Sequence, residues 1–362
     1  MSGQGRPARR PADPPAPPWE KGPPANGAFR QPGGCENRAG AGRPRSHIRK
    51  GHRRIRLRLG GPMSGAAGME KVYSAIEQSA RMLDVPCSRD RVLPILASYG
   101  DAISEVAIIF SVSTGSQEFD YTVQLPEEID DPYAHTLSHG LVAKTDHPVG
   151  ALLSDIKARI PVSEYFADYG AVGGFQKLYP SFPGSPQKVA DLAGIPSMPR
   201  AVAENADLFA RYDLADVALV GIDYKRKTMN LYFQLGAEVA GDLESKVVLS
   251  LLHDCGMPEP DEQMLELARK AYRIYITLGW DSADVLRISF APQPRQNLDL
   301  SEIQARLDPK IEAFMTGAPY AYDDDRVSIS VPKWSAQGGH FNLGYYYQVS
   351  PQLKALIAKN KD

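Results

Sequence analysis

Cationic, phenolic and carboxylate side chains recur at alternate positions along several short stretches of this sequence. A group of cations without partners is costly to bury, and a polyanion such as a diphosphate would offset that cost. Arginine forks and lysine ammonium groups both suit phosphate oxygens. The set consists of the cations Lys177, Arg226, Arg273 and Arg287, the acid Asp120, the amide Asn230 and the phenols Tyr179, Tyr232, Tyr275 and Tyr346.

Together these groups indicate chemistry on an allylic diphosphate. Phenol faces stabilise a cation, and an allyl cation left by departing diphosphate must be kept from water. Asp120, a carboxylate among cations, could hold Mg²⁺ through waters while the diphosphate supplies other oxygens. Taken singly, each residue favours a structural role, because strand cations are usually solvated or ion-paired and strand tyrosines usually belong to a core. The argument therefore depends on the alternation that these residues share.

The alternation is seen best in the stretch 228–234, which a basic turn joins to a predicted strand at 217–223. Strand side chains point alternately to opposite faces. One face of 228–234 is apolar, and the other carries Thr228, Asn230, Tyr232 and Gln234. In the stretch 173–182 the same rule assigns Phe175, Lys177, Tyr179 and Ser181 to the polar face, and Gln176, Leu178, Pro180 and Phe182 to the apolar face.

The order helix, helix, strand, strand repeats about five times from residue 69 onward, which predicts one repeated architecture. Amphipathic helices need an apolar surface, and the apolar strand faces supply it. Short links between strands require antiparallel neighbours, and closure removes the sheet edges. We therefore predict an α+β fold in which about ten antiparallel strands surround a polar lumen, with helices outside. The predicted strands are 106–113, 118–125, 162–169, 173–182, 217–223, 228–234, 271–279, 285–291, 326–331 and 340–349.

Composition divides the chain of 362 residues into a tail and one domain. Residues 1–62 hold 14 Lys or Arg, 3 Asp or Glu and 22 Gly or Pro, and the remainder carries a net charge of −13. We expect 1–62 to be a disordered basic tail or upstream sequence from a start site placed too early, and 63–362 to be a single barrel domain. The basic run 49–58 would suit nucleic acid or anionic lipid, but basic runs alone are weak signals.

Other features exclude whole classes of protein. Three cysteines without a C-x-x-C pair, Cys35, Cys87 and Cys255, fit a reducing cytoplasm. No apolar run is long enough to span a membrane, and no signal peptide is visible. Gly173-Gly174 is not a nucleotide loop, because no helix follows directly. We expect a cytoplasmic monomer with no organic cofactor, no nucleic-acid partner and no membrane partner.

Seven segments resemble those of the NphB/CloQ-type soluble aromatic prenyltransferases, and the NphB branch most of all. The resemblance covers about residues 63–360 and implies the ABBA barrel, with ten antiparallel strands around a lumen. It also implies transfer of a dimethylallyl or geranyl group to an aromatic carbon in secondary metabolism. The segments are Asp131-Pro132-Tyr133-Ala134, Val172-Gly173-Gly174-Phe175-Gln176-Lys177, Ile195-Pro196-Ser197-Met198-Pro199, Ala203-Glu204-Asn205-Ala206, Asp223-Tyr224-Lys225, Asn230-Leu231-Tyr232-Phe233 and Ala318-Pro319-Tyr320-Ala321-Tyr322.

The resemblance also implies a role for each matching residue. Asp120 matches the carboxylate that holds Mg²⁺ in the magnesium-dependent members, some of the family working without metal. The implied diphosphate ligands are Lys177, Arg226, Asn230, Tyr275 and Arg287, with Arg226 in place of a lysine. The implied catalytic group comprises Arg287 with Tyr179, Tyr232 and Tyr346, and the implied acceptor lining comprises Ser111, Thr122, Arg273 and Gly344.

The sequence departs from the family pattern at Asn342, at Arg273, and at Ala218 and Leu219, which replace a more polar pair near the acceptor. Asn342 stands where family members with a full cationic set have a lysine, and Arg273 stands where a serine lines the acceptor space. We expect Arg273 either to restore part of the missing charge or to pair with an acidic acceptor. The predicted reaction is electrophilic substitution on a phenol, naphthalene or phenazine. The alternative is a non-catalytic barrel that binds an amphipathic anionic ligand, although lumens of that kind are mostly apolar.

Overall fold

Helices and strands alternate in pairs along residues 65–296, 298–303 and 307–351, which the computed structural model describes. Boundaries of the strands lie within a few residues of those predicted, apart from two strands of two residues each. The strands are β1 (Ile108–Ser113), β2 (Phe119–Gln124), β3 (Glu164–Gly170), β4 (Gly174–Ser181), β5 (Gln187–Lys188), β6 (Asp216–Asp223), β7 (Thr228–Gln234), β8 (Ala271–Gly279), β9 (Arg287–Pro292), β10 (Arg295–Gln296), β11 (Val327–Ser335) and β12 (Gly338–Gln348).

The helices of the described residues fill the segments between the strand pairs. Two short 3₁₀ helices, Gly100–Ser104 and Leu300–Glu302, accompany them. The α-helices are α1 (Gly65–Met82), α2 (Arg89–Ala97), α3 (Pro132–Ser138), α4 (Val149–Lys157), α5 (Val189–Ala193), α6 (Ala201–Glu204), α7 (Ala206–Arg211), α8 (Ser245–Asp254), α9 (Glu262–Arg269) and α10 (Pro309–Gly317).

Ten of the twelve described strands form a closed antiparallel ring. Around the ring the order is β11, β12, β1, β2, β3, β4, β6, β7, β8 and β9. β9 then pairs with β11, where Ser289 lies opposite Lys333, and this pairing closes the barrel. The short strands β5 and β10 pair with β6 and β11 outside the ring. The predicted α+β barrel is confirmed.

Most strands separate an apolar outer layer from a polar interior, although β11 turns Ile329 and Val331 inward, opposite Gly344 and Asn342. In β2 the burial alternates along the strand, so that Phe119 is buried and its neighbour Asp120 is only partly so. Outward rings pack against helices: Phe119 lies 5.7 Å from Phe314 of α10. Phe233 of β7 lies 5.1 Å from Phe209 of α7. The hydrophobic core is therefore a shell between the barrel and its helices, and the lumen is left mainly to polar groups.

Helix α9 shows how the sequence fixes an outer helix. The Asp261 carboxylate accepts a hydrogen bond from the backbone N–H of Met264 at 2.9 Å, a cap that contributes about 1 kcal/mol. Met264, Leu267 and Ala268 share the buried face. Within the part of the chain that the structure describes, no helix has both the length and the apolar character needed to cross a membrane.

The structure corrects the sequence-based description in three places. The stretch 199–211, whose sequence pattern predicts one helix, forms two short helices, α6 and α7. Strand β11 continues past residue 331 to Ser335. The pairing of β3 with β4 is irregular, since Asp168 lies opposite Lys177 but Tyr169 lies opposite Phe175, so Gln176 is an extra residue. The tail 1–62 lies outside the described residues. So does all but the first residue of 351–360, whose sequence pattern predicts a closing helix.

The extra residue reverses two side chains in β4. Gln176 points inward and donates a hydrogen bond to Asp120, whereas Phe175 packs against Tyr169 and Tyr224. The prediction that Phe175 faces the lumen and Gln176 the helices is therefore wrong. A bulge breaks the period-two rule locally, because one strand then holds two residues opposite one.

Candidate active site

Contacts between strands that are not neighbours show that the polar faces meet inside the barrel. Gln176 of β4 donates from Nε2 to Oδ1 of Asp120 on β2 over 2.7 Å, although β3 lies between these strands. The rings of Tyr179 on β4 and Tyr232 on β7 are 6.1 Å apart at 77°. The alternation read from the sequence therefore does assemble one lumen.

A group of acids surrounds Lys177, which the sequence-based description missed. The Lys177 ammonium lies 3.9 Å from the Asp168 carboxylate and 3.6 Å from the Asp223 carboxylate. Asp168 also accepts hydrogen bonds from the hydroxyls of Thr122, at 2.8 Å, and Tyr179, at 3.3 Å. Asp120 is therefore not the lone lumen carboxylate that the sequence suggested. The alternation in β3, which places Glu164 and Asp168 on one face, was the available signal.

Asp120 is held in a site that disfavours its charged form. Burial, and then the nearby Asp168, raise the pKa of Asp120 to about 7, while Lys177 and the Gln176 hydrogen bond oppose that rise. In the described ranges no group of three or more His, Cys, Asp or Glu side chains could hold a metal ion. These side chains still fit a Mg²⁺ ion that is bound through a single carboxylate, with waters and a substrate phosphate as its other ligands.

Arginines stand beside these acids. Arg226 forms ion pairs with Glu118 at 2.6 Å and with Asp223 at 3.7 Å. Burial, and then Arg226, lower the pKa of Arg287. Among the residues that the structure describes, Arg287 has no ion pair or hydrogen bond with another side chain. Its guanidinium is available to an anionic ligand, and we call this region of Lys177, Arg226 and Arg287 the cationic pole.

An aromatic wall adjoins the cationic pole. Tyr232 and Tyr275 lie 4.0 Å apart between ring centroids, and Tyr179 stands edge-on to Tyr232. The Asn230 amide donates to the Tyr232 hydroxyl at 3.3 Å and accepts from Thr277 at 2.8 Å. Gly221 leaves room for the rings, since a Cβ there would lie 3.1 Å from Tyr179 and 3.2 Å from Tyr232.

A second cluster of polar side chains lies near Tyr346. Arg273 donates to Gln234 at 3.3 Å, and its charge acts on Glu164, Tyr275 and Tyr346. Burial raises the pKa of Glu164, which accepts a hydrogen bond from Gln124 at 3.0 Å. Arg273 is not among the groups that act most strongly on Arg287. This position favours pairing of Arg273 with an acidic acceptor, which stays a prediction.

The remaining predicted lining residues lie on neighbouring strands. Ser111 of β1 is in register with Gly344 on one side and Asp120 on the other. A Cβ at Gly344 would lie 2.5 Å from the Phe110 carbonyl oxygen, so glycine permits the close approach of β12 to β1. Thr122 is bound to Asp168 as described above. The structure thus brings every sequence-predicted site residue to the barrel interior or to its rim, while their roles stay predictions.

One inward cation was missed altogether. Lys333 lies on β11 opposite Ser289 and His340, beyond the predicted end of that strand at residue 331. Proline is rare inside a strand, so Pro332 indicated that the strand ends at residue 331. The continuing alternation, with Pro332 and Trp334 buried on either side of Lys333, was the signal that could have found it.

Comparison with known proteins agrees with this geometry. The family model described as "Aromatic prenyltransferase Orf2" matches residues 67–355. The chain belongs to this family. It is similar to flaviolin linalyltransferase of Streptomyces virginiae, at 40% identity over 79% of this chain and 94% of the relative. It is also similar to 5,10-dihydrophenazine-1-carboxylate 9-dimethylallyltransferase of Streptomyces anulatus, at 38% identity over 82% of this chain and 98% of the relative.

A third relative of this aromatic prenyltransferase takes part in the biosynthesis of furaquinocin. That prenyltransferase, from Streptomyces sp. strain KO-3988, is 39% identical over 78% of this chain and 91% of its own length. The resemblance stated from sequence motifs is confirmed, and so is the predicted class of enzyme, an aromatic prenyltransferase of secondary metabolism. Prenyl donors and aromatic acceptors are accordingly its kinds of substrate.

Proposed function

We propose that this prenyltransferase moves a dimethylallyl or geranyl group from its diphosphate to a carbon of a phenol, naphthalene or phenazine ring. The names of the relatives support that range of acceptors, since they include a flaviolin and a dihydrophenazine carboxylate. The observation that carries the proposal is the aromatic wall beside the cationic pole. An allylic diphosphate needs both, because its ionisation produces an anion and a carbocation together.

The cationic pole would bind the diphosphate and stabilise its departure. Lys177, Arg226 and Arg287 supply positive charge, and the Asn230 amide and the Tyr275 hydroxyl supply neutral donors. Groups that are already oriented towards a developing anion lower the barrier without reorganising during the reaction. The bond between the allylic carbon and the bridging oxygen breaks, and both bonding electrons leave with the diphosphate.

The aromatic wall would then hold the cation against the acceptor. The ring faces of Tyr179, Tyr232 and Tyr346 shield the carbocation, and the lumen keeps the two reacting carbons together. The acceptor ring supplies the electron pair for the new carbon–carbon bond and becomes an arenium cation. Loss of its ring proton to water or to the released diphosphate restores aromaticity, so no dedicated base is required.

Mg²⁺ at Asp120 is part of the proposal. Asp120 would hold the ion through one carboxylate oxygen, with waters and diphosphate oxygens completing its ligands. The ion would supply charge stabilisation to the leaving group. The carboxyl pair of Asp120 and Asp168 supports cation binding, because Asp168 raises the pKa of Asp120 and a cation would relieve that repulsion.

The acceptor would lie near Ser111, Thr122, Arg273 and Gly344. Arg273 is 8% exposed and has a fixed charge, which favours an acceptor that carries a carboxylate or an acidic hydroxyl. Naphthalenes with acidic hydroxyls and carboxylated phenazines meet this condition. Neutral indoles and simple phenols lack the complementary charge, and we expect them to be poorer acceptors.

A product screen tests the proposal. Purified protein is incubated with dimethylallyl or geranyl diphosphate and each of flaviolin, 1,3-dihydroxynaphthalene, dihydrophenazine-1-carboxylate and tryptophan, with and without Mg²⁺. Mass spectrometry should find products heavier by one prenyl group from the acidic acceptors, and released diphosphate should match them. Tight donor binding without any product would favour the non-catalytic barrel instead.

We also propose a cytoplasmic monomer that acts without nucleic-acid or membrane partners. The sparse cysteines support a reducing compartment. Light scattering after size-exclusion chromatography should give a mass near that of one chain, 39.6 kDa. A mass of twice that value would contradict the monomer.

A further inference from the structure

Lys333 is an inward cation of β11 that no predicted role uses. Along this strand Pro332 and Trp334 are buried beneath the helices, so the alternation turns Lys333 into the lumen. Its register neighbours are Ser289 of β9 and His340 of β12. Neither offers a negative charge. In the residues that the structure describes, the Lys333 ammonium has no ion pair and no hydrogen bond.

The Lys333 side chain faces the cationic pole, whose charges act on it inside the lumen. In the ring of ten strands, β11 and β4 are five places apart, which is the largest separation the ring allows. The charge of Lys333 nevertheless acts on that of Lys177 on β4 and of Arg287 on β9. The acids that face it are Asp168 of β3 and Asp120 of β2, and His340 of β12 is close enough for Lys333 to lower its pKa.

This surrounding disfavours the charged form of Lys333 while no ligand is bound. Burial is the largest cause, followed by repulsion from Lys177 and Arg287, and together they lower the pKa of Lys333 to about 7. Such an amine gains a proton readily when an anion arrives between the cations. A buried cation that lacks a partner is costly, and a polyanion placed among Lys177, Arg287 and Lys333 would remove that cost.

The residue at position 342, on the strand next to Lys333, bears on the role of Lys333. The family resemblance implies a lysine at position 342, where this chain has Asn342. On β12, Asn342 is two residues from His340, the register partner of Lys333, and both side chains face inward. Lys333 is therefore the diagonal neighbour of position 342 on the adjacent strand, and a charge lost from β12 is present on β11.

We propose that Lys333 binds the diphosphate of the prenyl donor, in place of the lysine absent at position 342. The inference rests on the proposed function and adds a fourth cation to the three of the cationic pole. Lys333 takes up a proton from solvent as the diphosphate enters, so that the bound anion faces a full positive charge on the wall opposite Lys177.

Calorimetric titration of the ligand-free full-length protein tests this assignment. The probes are inorganic diphosphate and dimethylallyl S-thiolodiphosphate, which does not ionise readily, both without Mg²⁺. Lys333→Met should weaken both probes by about tenfold or more, the worth of one hydrogen bond to a charged group. Lys144→Met, at an exposed lysine, serves as the matched control and should bind like wild type. Adding Asn342→Lys to Lys333→Met should restore most of the affinity.

Two further measurements separate a ligand-binding role from a structural one. Titrations at about pH 8 in buffers of different ionisation enthalpy should show proton uptake by the wild type and less uptake by Lys333→Met. Thermal unfolding of the ligand-free variant should occur at or above the wild-type temperature, because an amine whose charged form is disfavoured in the folded state is gone. A residue needed only for folding would lower the unfolding temperature and leave proton uptake unchanged.

The outcomes distinguish this inference from the proposed function. If Lys333→Met binds both probes like the wild type, the inference is wrong even where the wild type forms prenylated product. The same holds if only turnover falls, because Lys333 would then act after binding. If the wild type binds neither probe and forms no product, the proposed donor site and this assignment fall together. Tenfold weaker binding with rescue by Asn342→Lys supports the assignment.

Discussion

Replacing Asp120 by asparagine should stabilise the ligand-free enzyme at alkaline pH. Asparagine keeps the oxygen that accepts the Gln176 hydrogen bond and removes the negative charge that Asp168 repels. Below about pH 4 the wild-type carboxyl is neutral in both the folded and the unfolded chain, so there the two proteins should be equally stable. Above pH 7 the wild type must bury a second carboxylate beside Asp168, and the variant is spared that cost.

The size of the effect follows from the pKa of Asp120. The folded value of about 7 compares with about 3.9 for an aspartate in an unfolded chain, a difference of roughly three units. A raised folded pKa favours the folded state below about pH 4, and that advantage is lost between about pH 4 and pH 7. Three units correspond to roughly 4 kcal/mol at most. Asp120 and Asp168 titrate as a pair, so Asp168 takes part of the difference.

Urea unfolding, followed by fluorescence at about pH 5, 7 and 9, measures the free energy of unfolding of each protein. The difference between Asp120→Asn and wild type should grow with pH and reach between about 1 and 4 kcal/mol at about pH 9. Asp146→Asn, at an exposed aspartate, is the matched control and should follow the wild type throughout. A variant that is less stable at every pH, or a difference that is independent of pH, would refute the reasoning about Asp120.

Three other predictions test the cationic pole, the aromatic wall and the metal site. Arg287→Ala should lower turnover by about 100-fold or more, as does loss of one preorganised oxyanion donor, and a near-wild-type rate of diphosphate release would remove Arg287 from the mechanism. Gly221→Ala should cost about 1–3 kcal/mol of stability in urea and lower turnover, because its Cβ would crowd the rings of Tyr179 and Tyr232; unchanged stability would mean that the rings shift freely. Activation by Mg²⁺ should need more metal at about pH 6 than at about pH 8, since protons compete at Asp120, and equal requirements would argue against Asp120 as its ligand.

The positions of the strands were predictable because burial of one strand face requires apolar residues at alternate positions. The alternation in 118–125 and 228–234 matches the observed β2 and β7, including the inward positions of Asp120, Asn230 and Tyr232. Every strand of the ring overlaps a predicted stretch, although residues 217–222 include no polar side chain and show no alternation. Closure followed from the same pattern, since apolar faces under helices leave only the polar faces for the interior.

The errors occurred where the local backbone departs from regular pairing. The bulge at Gln176 reverses the alternation of side chains in β4, and no residue type in 173–182 clearly predicts a bulge. Pro332 concealed the part of β11 that follows residue 331, and with it Lys333. The acids Asp168 and Asp223 were visible in sequence, but only the structure shows that both reach Lys177. Distances between side chains of different strands depend on how the strands are staggered around the barrel. This stagger cannot be read from a single sequence.

The division of each strand into an outward and an inward series has a consequence for how such an enzyme can change its chemistry. Outward side chains such as Phe119 hold the scaffold together, and inward ones such as Arg273 contact other polar groups of the interior. The two series can vary independently, so new acceptors can be accommodated by relining the interior while the supporting shell stays intact. The exception is Gln176, where a bulge sets the direction of its neighbours, and a change there would disturb both series at once.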